Sequence, residues 1–410
     1  MESGSTSTAD SMAAGGGRAP SGDDEDSRHR GRALRFVLLI GVVSLFADMT
    51  YEGSRSITGP YLAVLGASAT AVGIIAGGGE LLGYALRLVS GRISDAMGRY
   101  WPITIVGYVV QMAAVPALAL AGSWEAAAVL IVVERVGKAM RNPPRDAMLA
   151  HASTEIGRGW GFGVHEALDQ LGALIGPIAV AAVLALGGEY QIAFAMLLIP
   201  ALLTLSTLGV ARLVYPDPTI LAARPAEVPM AGLPKVFWLY LGGAALVATG
   251  FADFSLMAFH FERTSSVPAI WIPLFYAAAM GAGGLGSLLF GRLFDRHGVS
   301  ILVPLTAATA LFAPLAFLGA APVAFVGVVL WGVGMGVHES IMAAAVANMV
   351  PTSRIASAYG LFNLGYGLAW FVGSVVMGLL YDVSMPALIA FSVAAEIAAI
   401  PLFIRVRQAP

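Results

Sequence analysis

The sequence contains no cysteine and little charge. Without cysteine the chain has no disulfide, no thiol nucleophile and no thiolate ligand for a metal. Charged residues make up 12% of the 410 residues, whereas soluble domains contain about 25%. The formal net charge of −2 gives no indication of a nucleic-acid partner.

Apolar residues, 58% of the chain, are grouped into long runs such as 101–121 and 385–404. At a rise of about 1.5 Å per residue, each of these two runs crosses a hydrocarbon core of about 30 Å. The pattern predicts an all-α membrane protein of about twelve transmembrane helices, and the predicted spans are 34–65, 68–90, 100–121, 124–149, 158–186, 190–213, 235–261, 267–290, 299–319, 322–349, 354–380 and 385–405.

The spans divide into two groups of six around a proline-rich segment of mixed charge, 214–234. We expect a polar, disordered tail, an amino-terminal six-helix half, a linker, a carboxy-terminal six-helix half and a short second tail; their predicted bounds are 1–33, 34–213, 214–234, 235–405 and 406–410. Basic residues concentrate in the tails and in connections on one side of the predicted spans. This distribution predicts that both termini and the linker are cytoplasmic.

Two short phrases occur once in each half. GRISDAMGR at 91–99 is echoed by GRLFDRHG at 291–298, and Phe46-Ala47-Asp48 is echoed by Phe251-Ala252-Asp253. Repeats in the same order predict two pseudo-symmetric halves around an axis along the membrane normal, with a cavity between them.

The repeated charged phrase resembles the loop motif of the major facilitator superfamily. The matching positions are Gly91, Asp95, Gly98 and Arg99 in the first half, and Gly291, Asp295 and Gly298 in the second. The resemblance implies the fold of that superfamily, secondary active transport by alternating access, a monomeric state and a gate on the cytoplasmic side. A solvated charged turn is the alternative interpretation of each loop.

Two further stretches bear on the kind of transporter. Gly172, Gly176 and Pro177 resemble the fifth-helix motif of drug/proton antiporters, although a Gly-x-x-x-Gly pair also serves close helix packing. Arg135 resembles the intramembrane arginine of proton-coupled members, with Lys138 near it where a glutamine is usual. The resemblance implies efflux rather than uptake.

Ionisable residues gather in four predicted spans, the first, fourth, seventh and tenth, which line the central cavity in the family that the chain resembles. They are Asp48, Glu52, Arg55, Glu134, Arg135, Lys138, Asp253, His260, His338 and Glu339. Charge at membrane depth is costly unless it faces a cavity or a partner. We expect Asp48 and Glu52 to exchange protons, with Arg135 and Lys138 as counter-charges, or else mutual neutralisation of acids and bases across the helices.

The sequence lacks the G-x-x-x-x-G-K-[ST] and H-E-x-x-H patterns of nucleotide- and zinc-dependent enzymes. We therefore expect a transporter without cofactor or metal, not an enzyme. The predicted function is proton-coupled efflux of small amphipathic molecules from a cell, with the protein in the inner (plasma) membrane. The alternatives are a proton-coupled importer of a small polar metabolite and a receptor that transports nothing. The arginine- and alanine-rich composition is typical of a GC-rich bacterial genome.

Overall fold

A computed structural model describes residues 22–97, 100–153, 157–216, 232–338, 342, 345–346, 349–350 and 355–408. Every regular element in these ranges is helical. The helices of the first part are α1 (Gly22–Val64), α2 (Ala69–Met97), α3 (Tyr100–Ala117), α4 (Trp124–Ser153), α5 (Arg158–Ala185), α6 (Tyr190–Met196) and α7 (Leu198–Val214). Those of the second part are α8 (Lys235–Gly250), α9 (Phe254–Thr264), α10 (Trp271–His297), α11 (Leu302–Thr309), α12 (Phe312–Leu318), α13 (Ala321–Val337), α14 (Ile355–Val383) and α15 (Met385–Gln408).

Nine segments of the described residues are long and apolar enough to cross a membrane. One of them, Trp271–Leu318, covers two of the spans predicted from the sequence, and the apolar helix Ala321–Val337 is shorter than the others. Helix α4 is not counted among the nine because it contains too many charged residues. They include Glu125, Glu134, Arg135, Lys138 and Arg141. The predicted all-α transmembrane fold is thus confirmed. The division into halves stays a prediction, because residues 217–231 lie outside the described ranges.

The seventh predicted span is broken, although the sequence predicted one helix over 235–261. The chain leaves helical geometry after Gly250, and α9 begins beyond Asp253, whose carboxylate accepts a hydrogen bond from the Ser255 N–H at 2.9 Å. This is an ordinary amino-terminal cap. The freed carbonyl of Ala252 accepts from the Trp331 indole N–H at 2.8 Å, so the break is stabilised inside the protein.

The two ends of the molecule differ, and both can be identified from the contacts of Asp382 near the end of α14. Its carboxylate accepts from the Thr70 N–H at the start of α2 and lies 3.9 Å from Arg263 near the end of α9. We call this the far end. The opposite end, where α2 and α10 end and where segments 91–97 and 291–298 lie, is the motif end.

The glycines of α5 let two backbones touch. A side chain at Gly172 would collide with the Leu45 carbonyl oxygen of α1, and one at Gly176 would collide with the Met49 carbonyl oxygen. Both glycines therefore serve close packing of α5 on α1. Pro177 lies inside α5 directly after Gly176.

Candidate functional site

A cavity of about 650 Å³ lies between α1, α2, α4 and α5 on one side and α10, α13 and α14 on the other. Its lining residues Arg87 and Glu166, nearer the motif end, are exposed, whereas Asp48 and Glu52 in its depth are 7% and 8% exposed. The cavity therefore opens toward the motif end.

Polar contacts close the cavity at its far-end side. Arg55 of α1 donates to Asp253 at 2.9 Å and lies 3.4 Å from Glu80 of α2. Tyr276 of α10 donates to the Glu52 carboxylate at 2.5 Å. Asp253, placed by the break before α9, is not in the cavity wall but touches the site through Arg55.

Glu134 and Arg135 are consecutive residues of α4, and their side chains face different ways. Arg135 lines the cavity, donates to Glu80 at 2.9 Å and also donates to the Tyr51 hydroxyl. Glu134 lies behind the wall of this cavity, where it accepts from Gln111 of α3 at 2.9 Å. Glu134 is thus a buried counter-ion and not a lining residue.

Arg141 is a site residue that the sequence reasoning missed. Its side chain is fully buried, donates to Gln111 at 2.5 Å and to Tyr108 at 2.9 Å, and lies 3.5 Å from the Asp48 carboxylate. The available signal was its spacing, since Arg141 follows Lys138 by three residues and so shares one face of α4.

Asp48 has a second partner that is also a carboxyl group. Asp48 of α1 and Asp169 of α5 both line the cavity, and their carboxyl groups are near enough to interact directly. Three residues beyond Asp169 in the chain is Gly172, where α5 touches α1. The close helix crossing therefore brings these two carboxyl groups together.

Lys138 lines the cavity with its ammonium nitrogen 3.4 Å from the centroid of the Tyr51 ring. Within the ranges that the structure describes, no carboxylate oxygen lies within 4 Å of this nitrogen, in contrast to Arg55 and Arg135. Lys138 thus forms no ion pair with Glu134, which lies four residues before it in α4.

The histidines of the second part lie in different places. His338, just beyond α13, lines the cavity, and its ring nitrogen is 2.9 Å from the Tyr366 hydroxyl. His260 lies away from the cavity, with its ring nitrogen 3.0 Å from the Tyr381 hydroxyl. Glu339 lies outside the described residues.

The described residues of the gate motif lie at the motif end. Gly91 and Asp95 belong to α2, while Gly291 and Asp295 belong to α10, and Gly98 and Arg99 are outside the described residues. Gly298 ends α10 with a φ of 60°, a conformation that favours glycine. The gating role of these residues stays a prediction.

Among the described residues, no group of three or more His, Asp or Glu side chains is placed to hold a metal ion.

The sequence profile of the Major Facilitator Superfamily matches residues 38–404. An uncharacterized protein of Mycobacterium tuberculosis and one of Mycobacterium bovis are each 41% identical over 382 residues, which cover 92% of this chain and 93% of the relative. An uncharacterized MFS-type transporter of Methanocaldococcus jannaschii is 29% identical over 140 residues, 34% of this chain and 35% of that protein.

Solved transporters share the fold. A mutant form of the nucleoside transporter NupG has a TM-score of 0.75 at 12% identity and covers 90% of this chain and 99% of its own. An inward-facing bacterial homolog of the human lysosomal transporter Spinster has a TM-score of 0.64 at 14% identity, with 93% and 96% of the two chains covered. The chain is an integral membrane protein that belongs to the Major Facilitator Superfamily, and it is a secondary transporter rather than an enzyme.

Proposed function

We propose that this transporter couples the movement of small amphipathic molecules to protons, and that Asp48 and Asp169 together hold the coupling proton. The observation that carries the proposal is the placement of the two carboxyl groups as neighbours in the cavity wall, where α5 crosses closely over α1. A carboxylate can only accept a hydrogen bond, so a hydrogen bond between the two groups requires one proton. Two like charges in contact also repel, which again favours one proton on the pair.

Nearby cations favour one negative charge on the same pair. Arg141 lies 3.5 Å from Asp48, and Arg145 donates to Ser44, one turn before Asp48, at 3.2 Å. Positive charge stabilises the ionised partner. The pair is therefore suited to hold one proton and to lose it or gain a second one during the transport cycle. A coupling site needs this property.

The conformation supports a role for the pair in alternating access. The cavity opens toward the motif end, and the Arg55–Asp253 ion pair closes the far end. If both termini are cytoplasmic, as the basic residues predict, the proton site faces the cytoplasm in this conformation. Transport then requires that the Arg55–Asp253 contact breaks while the motif end closes.

The direction of coupling depends on the charge of the substrate. A cation beside the Asp48–Asp169 pair favours release of the proton and gives exchange, whereas an anion favours its retention and gives cotransport. The antiporter-like glycines of α5 bring Asp169 to Asp48, a task that export and uptake need equally. Export by exchange is the first candidate, and uptake of an anion together with a proton is the second. The second is supported by the Lys138 ammonium, which has no carboxylate within 4 Å among the described residues.

The test uses proteoliposomes that contain a pH-sensitive dye. The probes are 2-phenylethanesulfonate and phenethyltrimethylammonium, which are permanently charged and carry no proton of their own. We expect one of them to move protons with the wild-type protein, and we expect Asp48→Asn and Asp169→Asn to abolish that signal. Glu166→Gln, a change to another carboxyl group of the same cavity, should leave it intact.

Infrared spectroscopy of the purified protein gives a readout that needs no substrate. The band of protonated carboxyl groups should lose intensity on either Asp→Asn change and keep its intensity in Glu166→Gln. Probe movement without protons, or unaltered coupling in both Asn variants, contradicts the proposal. Binding of a probe without movement of probe or proton indicates the receptor alternative.

A further inference from the structure

We infer that the substrate is an amphipathic anion with a flat, aromatic body, and that its anionic group binds at Lys138 while its body lies against α14. This inference rests on the proposed function for the site and adds the chemical class of the substrate. It reverses the preference for lipophilic cations that an acidic and aromatic cavity would suggest.

The two walls of the cavity differ in character. The described lining residues that carry a formal charge all belong to α1, α2, α4 and α5, namely Asp48, Glu52, Arg55, Glu80, Arg87, Arg135, Lys138, Glu166 and Asp169. The opposite wall, from α10, α13 and α14, offers methionine, glycine, polar uncharged and aromatic side chains. A molecule that spans the cavity therefore meets charge on one side and apolar surface on the other.

The apolar wall contains a ladder of three aromatic rings. Phe362, Tyr366 and Trp370 follow one another at four-residue spacing on one face of α14, with ring centroids 5.8 Å and 5.9 Å apart. Tyr84 of α2 adds a ring 6.3 Å from Tyr366. Such a surface favours a flat apolar group by burial and by ring-to-ring contact.

Among the described lining residues of the charged wall, Lys138 is the deep cation that has no carboxylate partner. Arg55 is paired with Asp253 and Glu80, and Arg135 is paired with Glu80. The ammonium of Lys138 rests on the Tyr51 ring instead. Its charged surroundings are Asp48, Glu52, Glu134 and Arg141, and among the described residues no carboxylate of these comes within 4 Å of it.

A second observation on the opposite wall also indicates an acceptor. Trp370 is 4% exposed and lines the cavity, and its indole N–H has no acceptor among the described residues. Buried donors are nearly always satisfied, and one left without a partner at a binding site calls for an acceptor from outside the chain. Lys138 and Trp370 thus supply a cation and a neutral donor on facing walls.

An anion at Lys138 also sets the sign of the coupling. An anion bound there lies near the Asp48–Asp169 pair, and its negative charge favours protonation of that pair. Anion and proton then bind together, and the protein cotransports them. Among the two candidate directions this selects uptake along an inward proton gradient.

The experiment measures equilibrium binding to the purified protein in lipid nanodiscs by titration calorimetry, with no pH gradient. The probes are 2-phenylethanesulfonate, phenethyltrimethylammonium with the same ring and opposite charge, and ethanesulfonate without a ring. We expect 2-phenylethanesulfonate to bind most tightly of the three. Lys138→Met should weaken it about tenfold or more, and Trp370→Phe, which keeps a ring but removes the N–H, about threefold.

The control variant is Lys235→Met, since Lys235 is the chain's other lysine and is exposed at the start of α8. It should bind as the wild type does. Tighter binding of the ammonium probe, equal binding of both sulfonates, no sulfonate binding at millimolar concentration by a folded protein, or an unaltered affinity in Lys138→Met each overturns the inference.

Failure of this inference and failure of the proposed function give different results. Sulfonate that binds and crosses the membrane without protons contradicts the coupling role of Asp48 and Asp169 and leaves the substrate class standing. Ammonium that exchanges for protons does the opposite. Because the binding assay involves neither a gradient nor the aspartate variants, its outcome does not depend on proton transport across the membrane.

Discussion

Arg55 of α1 donates a hydrogen bond to Asp253 at 2.9 Å, and this ion pair joins two parts of the chain 198 residues apart. The Asp253 carboxylate is also the cap of α9, so the pair ties the side chain of one helix to the amino terminus of another. The side chains of both residues are almost wholly buried, 10% and 1% exposed. The contact closes the far end of the cavity, so the cavity is open toward the motif end alone in the part of the chain that the structure describes.

Loss of this ion pair should open the far end. Removing one partner of a buried pair leaves an uncompensated charge and costs about 3–5 kcal/mol, so conformations in which the pair is already broken become more populated. Because the chain has no cysteine, Ser54→Cys supplies a single thiol beside Arg55. We expect a membrane-impermeant maleimide to label this thiol about tenfold faster, or more, in an Arg55→Met background.

Arg263→Met is the matched control, because Arg263 is an exposed arginine at the same end, 3.9 Å from Asp382. Labelling of Ser54→Cys should be unaltered by this change. Equal labelling rates in the Arg55→Met and Arg263→Met backgrounds would show that the Arg55–Asp253 pair does not close the far end.

Gly172→Val should separate α5 from α1 and so divide the Asp48–Asp169 pair. A side chain there collides with the Leu45 backbone, and such overpacking costs about 1–3 kcal/mol. We expect a lower melting temperature together with a weaker protonated-carboxyl infrared band. Gly163→Val in the same helix, where no atom lies within 4 Å of an added Cβ, should change neither. A Gly172→Val protein that keeps the band argues against the crossing as the cause of the contact.

Hydropathy and spacing predicted the transmembrane helices well because membrane burial acts on whole runs of residues. The repeated phrases predicted symmetry less well. Phe46-Ala47-Asp48 lies within the continuous helix α1, whereas Phe251-Ala252-Asp253 breaks the corresponding span. The difference lies in the contacts of the second phrase. The Asp253 carboxylate accepts a hydrogen bond from the Ser255 N–H, and the Ala252 carbonyl accepts one from the Trp331 indole N–H.

The candidate site was predictable in composition but not in its pairing. Of the six charged residues of α1 and α4 that were predicted to line the cavity, five do so, and Glu134 does not. The five are Asp48, Glu52, Arg55, Arg135 and Lys138. Their partners come from other helices at long sequence separation, such as Asp169 and Tyr276. Helical spacing fixes which residues share a face, but it contains no information about which faces meet.

Asp382→Ala should weaken the contact between α14 and α2 at the far end. The Asp382 carboxylate accepts from the N–H of Thr70 at 2.9 Å and from its hydroxyl at 2.7 Å, so it caps α2 from another helix. Loss of a cap costs about 0.5–2 kcal/mol. We expect a lower melting temperature and faster labelling of Ser54→Cys. Ser68→Ala, which removes the cap supplied by the residue directly before α2, should lower the melting temperature without faster labelling. Equal labelling in both variants would contradict a joining role for Asp382.

Tyr276→Phe should cost more stability than an ordinary buried tyrosine change, because its hydroxyl donates to the Glu52 carboxylate at 2.5 Å. Hydrogen bonds to a charged group contribute about 1.5–3 kcal/mol, against about 0.5–1.5 kcal/mol for neutral pairs. Tyr240→Phe is the matched control, since that fully buried hydroxyl donates to the neutral Met342 carbonyl at 3.0 Å. Unfolding measurements on both variants give the difference.

The charge of Glu52 is the reason for the difference, and a double-mutant cycle isolates it. In a Glu52→Gln background the cost of Tyr276→Phe should fall to that of Tyr240→Phe, because the acceptor is then neutral. An equal cost of Tyr276→Phe in both backgrounds would mean that Glu52 is already protonated when the far end is closed. In that case Glu52, with Asp48 and Asp169, would belong to the set of groups that carry protons through the transport cycle.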